Sequence, residues 1–135
     1  MTWLLDVSAL VARLVQNHEH HFRVNVWWPG RSFAVCPVTE LGFLRVACAL
    51  GSTMEDARTV LAEFFREEAP AFIPCDRRAL DSAGITSPRK STDIYLADLA
   101  ASRGWRLATL DAGITHPAAD LIPEFEILPY KPSAS

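Results

Sequence analysis

Short apolar runs alternate with longer stretches of helical spacing along this chain. The first run, Trp3-Leu4-Leu5, stops at Asp6-Val7-Ser8 and predicts a strand, with Ser8 placed to cap a helix from Ala9 to about Gln16. A second helical stretch, 18–28, ends where Pro29-Gly30 breaks it. Phe33 to Cys36 reads as a buried strand, followed at once by a helix that Thr39 would cap and Gly51 would stop. Ser52-Thr53-Met54-Glu55 has capping-box spacing and predicts a helix over 53–68. Residues 72–74 read as a third strand, cut short by Pro74. A brief helix around 76–82 and a loop from Gly84 to Lys90 come next, and a strong helix opens at Ser91-Thr92-Asp93 and stops at Gly104. Arg106 to Leu110 is the fourth strand. A Pro-rich loop over 117–123 leads to a last strand at 125–128. Strands alternating with helices point to βαβ units, and hence to an α/β domain with a parallel sheet covered on both faces. We expect a single domain over 1–130 and a flexible tail over 131–135.

Composition narrows the class. At 135 residues, half of them hydrophobic, the chain suits one core rather than two. No run approaches the roughly 18–20 apolar residues needed to span a bilayer, and the start lacks the features of a signal peptide. A cytoplasmic protein with no membrane association is expected. Cys36, Cys48 and Cys75 are widely spaced and flanked by apolar residues, which reads as reduced thiols rather than a disulfide or zinc framework. The net charge of −3 argues at first against a nucleic-acid partner. Four carboxylates gathered around a cation would leave the rest slightly positive, however, and Arg77-Arg78 and Arg89-Lys90 could meet phosphates.

Four acids carry the candidate chemistry. In an open parallel sheet, ligands bind at the carboxyl ends of the strands, where helix N-termini also gather. Asp6 closes the first strand and Asp111 the fourth, while Glu40 and Asp93 lie in the first turns of helices. Any one of them has a structural explanation, since acids in a first turn stabilise a helix. Together at one edge they would repel and raise one another's pKa, a conflict that an oxygen-seeking Mg²⁺ or Mn²⁺ resolves. Asp98 is rotated by about 140° from Asp93 on the same helix and is assigned to the periphery, in a salt bridge or an outer contact.

These motifs resemble a family. Leu4-Leu5-Asp6-Val7-Ser8-Ala9-Leu10, Val38-Thr39-Glu40-Leu41-Gly42-Phe43-Leu44-Arg45, Thr92-Asp93-Ile94-Tyr95-Leu96-Ala97 and Leu107-Ala108-Thr109-Leu110-Asp111 are similar, in order, to the four acidic motifs of PIN domains of the VapC toxin branch. The resemblance implies a sheet of about five parallel strands between helices and an acidic pocket of Asp6, Glu40, Asp93 and Asp111 holding one or two Mg²⁺ or Mn²⁺ ions. It implies endonucleolytic cleavage of RNA by water, with Thr109 and Ser8 in support. It also implies a homodimer and a cognate antitoxin protein that covers the pocket, often with a basic side chain.

The remaining signals carry less. His18, His20 and His21 lack further ligands at zinc spacing, and His116 reads as a loop residue. Phe22, Trp27 and Trp28 are more apolar than one buried face needs, which suggests core packing plus an interface. A haloacid-dehalogenase-type phosphatase would want an acid where Ser8 stands, and a receiver domain would want paired acids and a later lysine. The alternative outside enzymes is a catalytically silent PIN-like module that binds RNA or protein.

Overall fold

The computed structural model describes residues 1–125. Five strands, β1 (Thr2–Leu5), β2 (Ser32–Val35), β3 (Ala71–Phe72), β4 (Arg106–Thr109) and β5 (Ala119–Leu121), form one sheet in the order β3-β2-β1-β4-β5, and every pairing is parallel. The helices are α1 (Val7–Leu14), α2 (His21–Trp27), α3 (Pro37–Ala49), α4 (Met54–Glu68) and α5 (Ser91–Ser102).

Alternation along the strands divides the core. Leu5, Val35 and Ala108 face one side, where they meet Leu10, Val24, Phe43 and Phe64 of α1 to α4. Leu4, Ala34 and Leu107 face the other, against Leu96, Leu99 and Ala100 of α5. The three central strands, β1, β2 and β4, are buried on both faces towards their carboxyl ends, which explains why they read as continuous apolar runs. Ala97 and Ala100 of α5 are fully buried, so small side chains do bring that helix close to the sheet. Gly42 does the same for α1 and α3: a Cβ there would stand 2.3 Å from a Val7 methyl carbon.

Several boundaries differ from the sequence expectation, each for a local reason. Asp6, not Ser8, is the N-cap of α1, accepting the Ala9 N–H at 2.7 Å, while the Ser8 hydroxyl donates to Asp6 at 2.8 Å. The α3 helix starts at Pro37, a residue suited to a first turn, so Thr39 lies inside it rather than capping it. Thr39 is fully buried, and its hydroxyl donates to the Leu5 carbonyl at 2.8 Å. Thr53 caps α4 by accepting the Asp56 N–H, one residue later than the proposed box. The stretch around 76–82 forms only a 3-10 turn, at Ala79–Asp81. Gly51 and Gly104 follow α3 and α5 at φ of 110° and 70°, as their roles as helix stops require.

The fifth strand is the main correction. It lies at Ala119–Leu121, inside the stretch expected to be a loop. Phe125 is in no strand, and the rest of the expected strand at 125–128 falls outside the described residues, as does the expected tail.

Candidate active site

Chain direction creates the site. From β1 the sheet grows outward through β2 and β3 on one side, then through β4 and β5 on the other. The crevice at the carboxyl ends of β1 and β4 is therefore the topological switch point, where open α/β sheets bind ligands. Asp6 follows β1 directly, and its backbone N–H donates to the Ala108 carbonyl of β4 at 3.1 Å. Asp111 stands two residues beyond β4. Because α5 connects β3 to β4, it runs back across the sheet, and its first turn brings Asp93 to the same edge.

Asp6 is the buried member, at 1% exposure. Burial pushes its carboxyl up to about 6, and the charge of Asp93 adds to the rise. Three groups oppose it: the Thr109 hydroxyl, the Ala9 N–H and the Ser8 hydroxyl. The Ser8 oxygen also takes the Leu110 N–H at 3.3 Å, and Thr109 takes the Asp111 N–H at 3.0 Å. These bonds tie the end of β4 to the start of α1. Asp93 is half-buried. Its carboxyl is raised by burial and then by the charge of Asp111, with Lys90 pulling it down. Asp111 is exposed and accepts the Gly113 N–H at 2.8 Å.

Asp6, Asp93 and Asp111 thus form a chain of mutually repelling carboxylates, each from a different part of the sequence. Glu40 does not join it in this arrangement. Its carboxyl is raised by burial alone, and its side chain lines a cavity between α3 and α4 with Leu44, Arg58, Leu61 and Phe65. Among the described residues, no three Asp, Glu, His or Cys side chains converge closely enough to hold a metal ion. The donor set still fits a hard cation in kind. It offers oxygen ligands only, at a place where negative charge is in excess.

Two neighbours of the site are not evident from the sequence. Lys90, which there belongs only to a basic cluster, donates to the Gly113 carbonyl beside Asp111 and acts on Asp93. Its spacing of three residues from Asp93 is the available signal. His116, expected as a loop residue, pairs with Asp98 at 2.8 Å. Its Nδ1 accepts the Ala118 N–H at 3.0 Å, which leaves Nε2 to donate to Asp98. This contact fastens the β4–β5 loop to α5. Among the described residues, the histidines near α2 gather no ligand set. His21 bonds through Nδ1 to the Ala12 carbonyl, and His18 accepts the His20 N–H.

An all-parallel sheet in this order, with carboxylates at its switch point, is the architecture of a PIN domain. No protein-family profile matches the chain. Over 125 residues, however, it is 34% identical to ribonuclease VapC29 of Mycobacterium tuberculosis, across 90% of this chain and 94% of that protein. Over 123 residues it is 38% identical to ribonuclease VapC38 of the same species, across 82% of this chain and 86% of that one. The chain belongs to the VapC ribonuclease family. Its fold is also similar to that in the crystal structure of VapBC2 from Rickettsia felis bound to a DNA fragment from their promoter. The TM-score is 0.57 at 13% identity, over 84% of this chain and 90% of that one. Among the described residues, no helix is long and apolar enough to cross a membrane.

Proposed function

We propose that this chain is a divalent-cation-dependent endoribonuclease, the toxin of a toxin–antitoxin pair, that cuts structured or loop RNA. One observation carries the reading: a carboxylate buried to 1% exposure at the switch point, raised by burial and by the charge of Asp93, which is itself raised by burial and by the charge of Asp111. A protein keeps such a conflict where function needs it.

Asp6, Asp93 and Asp111 are the residues that would hold Mg²⁺ or Mn²⁺, as one or two ions. When bound, the cation supplies Lewis acidity and positive charge beside a phosphodiester. The chain's own residues do the rest. Ser8, Ala9 and Thr109 fix the Asp6 carboxylate before substrate arrives, so little reorganisation is left for the reaction. Asp93 projects from a helix N-terminus, where its charge is favoured. Asp111 has one oxygen held by the Gly113 N–H, leaving the other to accept a proton from an attacking water. Glu40 completes the set by motif.

Excess negative charge also explains an antitoxin. An Arg of a partner could pair with these carboxylates and occupy the cation's place. A homodimer remains part of the reading on family grounds.

A silent RNA- or protein-binding module is the second reading, favoured by the failure of three acids to converge. Cleavage of a mixed structured-RNA substrate by purified, antitoxin-free protein in Mg²⁺, Mn²⁺ or EDTA separates the two. The nuclease reading expects discrete cuts with either metal, none in EDTA and none from Asp93→Asn. RNA that is bound but never cut supports the silent module.

A further inference from the structure

The chain has three cysteines, all free, and the fold sorts them. Cys48 of α3 packs on the side of the sheet that α1 to α4 cover. Cys36 is fully buried on the α5 side, and Cys75, partly buried, packs against the same group of residues. Strand pairing brings these two together. β2 and β3 run parallel with Val35 beside Phe72, and one residue further on the Ile73 N–H donates to the Val35 carbonyl at 3.0 Å. Cys36 therefore leaves β2 alongside Ile73, and Cys75 returns to that face two residues later. The Cys36 and Cys75 thiols lie within hydrogen-bonding reach of each other, and Cys75 also reaches the Tyr95 hydroxyl.

The proposed phosphodiester chemistry makes no use of this thiol pair, but its place in the sheet gives it another. β3 is a two-residue strand at one edge of the sheet, and both of its residues are exposed. Elements with little buried area open locally before the rest of a fold does. We propose that Cys36 and Cys75 form a reversible disulfide, by exchange with a small-molecule disulfide of the glutathione class, and that this bridge staples β3 to β2. Cys75 is the accessible partner and reacts first. Its thiolate attacks one sulfur of the small disulfide RSSR, and RS⁻ leaves and takes up a proton. Cys36 then gives its proton to water, and its sulfur displaces the second RS⁻ from the Cys75 sulfur. Two protein thiols and one RSSR thus become one protein disulfide and two RSH. Burial of Cys36 pushes its thiol up and slows that second step, while the Thr39 hydroxyl, 3.5 Å from the sulfur, and the Thr39 N–H favour the thiolate. Cys48, across the sheet, takes no part.

Two measurements on the full chain test this. In the first, the protein is equilibrated in EDTA with mixtures of reduced and oxidised glutathione, free thiols are blocked by alkylation, and peptides are mapped by mass spectrometry. Oxidising mixtures should link the Cys36 and Cys75 peptides with the loss of two hydrogens, leave Cys48 outside the bridge, and be reversed by dithiothreitol. Cys48→Ser should form the same bridge, and the chain unfolded in urea should pair its thiols without this preference. Cys36 and Cys75 both alkylated under oxidising conditions, glutathione retained on Cys75 with no bridge, or a cross-link through Cys48 would each overturn the proposal. The second measurement follows amide exchange. The Ile73 N–H should exchange about tenfold more slowly once the bridge has formed, because the opening that frees it from Val35 is then restrained. In Cys75→Ser the same oxidation should leave that rate unchanged. An Ile73 rate that does not respond to a bridge shown by mass would overturn the staple.

Discussion

Replacing Asp6 by Asn should make the metal-free protein more stable at neutral pH, although it removes a proposed functional group. The side chain is 1% exposed, and its carboxyl is raised from 3.8 to about 6, chiefly by burial. A raised carboxyl means that the folded chain holds this proton more tightly than the unfolded chain does. The ionised form is therefore penalised in full above pH 6. The penalty shrinks as pH falls from about 6 towards 3.8 and is gone below that. A rise of this size corresponds to about 3 kcal/mol. Asn carries no charge at any of these pH values and still offers an oxygen to the Ala9 N–H, since Asn and Asp cap helices about equally well. The substitution thus isolates the charge from the cap. Urea unfolding in EDTA, followed by tryptophan fluorescence at pH 8, 6 and 4, reads the effect. Asp6→Asn should exceed the parent protein by up to about 3 kcal/mol at pH 8, with the two converging at pH 4. A variant that is no more stable than the parent at pH 8 would refute the claim that Asp6 is held ionised against its burial.

Other outcomes follow from the packing. Gly42→Ala sets a Cβ 2.3 Å from a stiff Val7 methyl, so despite better helix propensity it should destabilise by about 1–3 kcal/mol. Adding Val7→Ala to Gly42→Ala should recover part of that loss in urea unfolding. Thr39→Val leaves the Leu5 carbonyl without its buried hydroxyl donor and should cost about 1–3 kcal/mol in the same assay. The Asp98 carboxyl lies below its ordinary range: burial raises it, but the His116 hydrogen bond and other nearby donors and charges outweigh that. Its stabilising contribution is therefore present above the unfolded value of 3.8 and lost as pH falls through the lower folded value. Asp98→Ala should accordingly destabilise at pH 7 and speed amide exchange in the β4–β5 loop, with the stability difference closing in strong acid.

How much of the site is legible in the sequence depends on what each residue's neighbours are. Asp6 and Asp111 are readable because each ends an apolar run, and the end of a parallel strand fixes a position in space. Asp93 is readable from its place in a first turn. Glu40 shares that property, yet a first turn fixes only the backbone, and the residue lines the α3–α4 cavity instead. The β5 strand is hidden by its size. Three residues between Pro117 and Pro123 are too few to establish a period, and pairing with β4 rather than local pattern creates the strand. The pairing of His116 with Asp98 joins residues far apart in the chain, and nothing in either neighbourhood announces it. Thr39 and Ser8 read as caps because that is their commonest local use. Both instead spend their hydroxyls on the β1 end of the site.

Whether the carboxylates at the switch point form one cation-binding centre is decided by titrating the purified, metal-stripped protein with Mn²⁺, followed by electron paramagnetic resonance. One or two ions should bind to the parent protein, with binding weakened or lost in Asp6→Asn, Asp93→Asn and Asp111→Asn. Binding that is unchanged in all three variants, or absent from a protein that still cuts RNA, would contradict a shared centre.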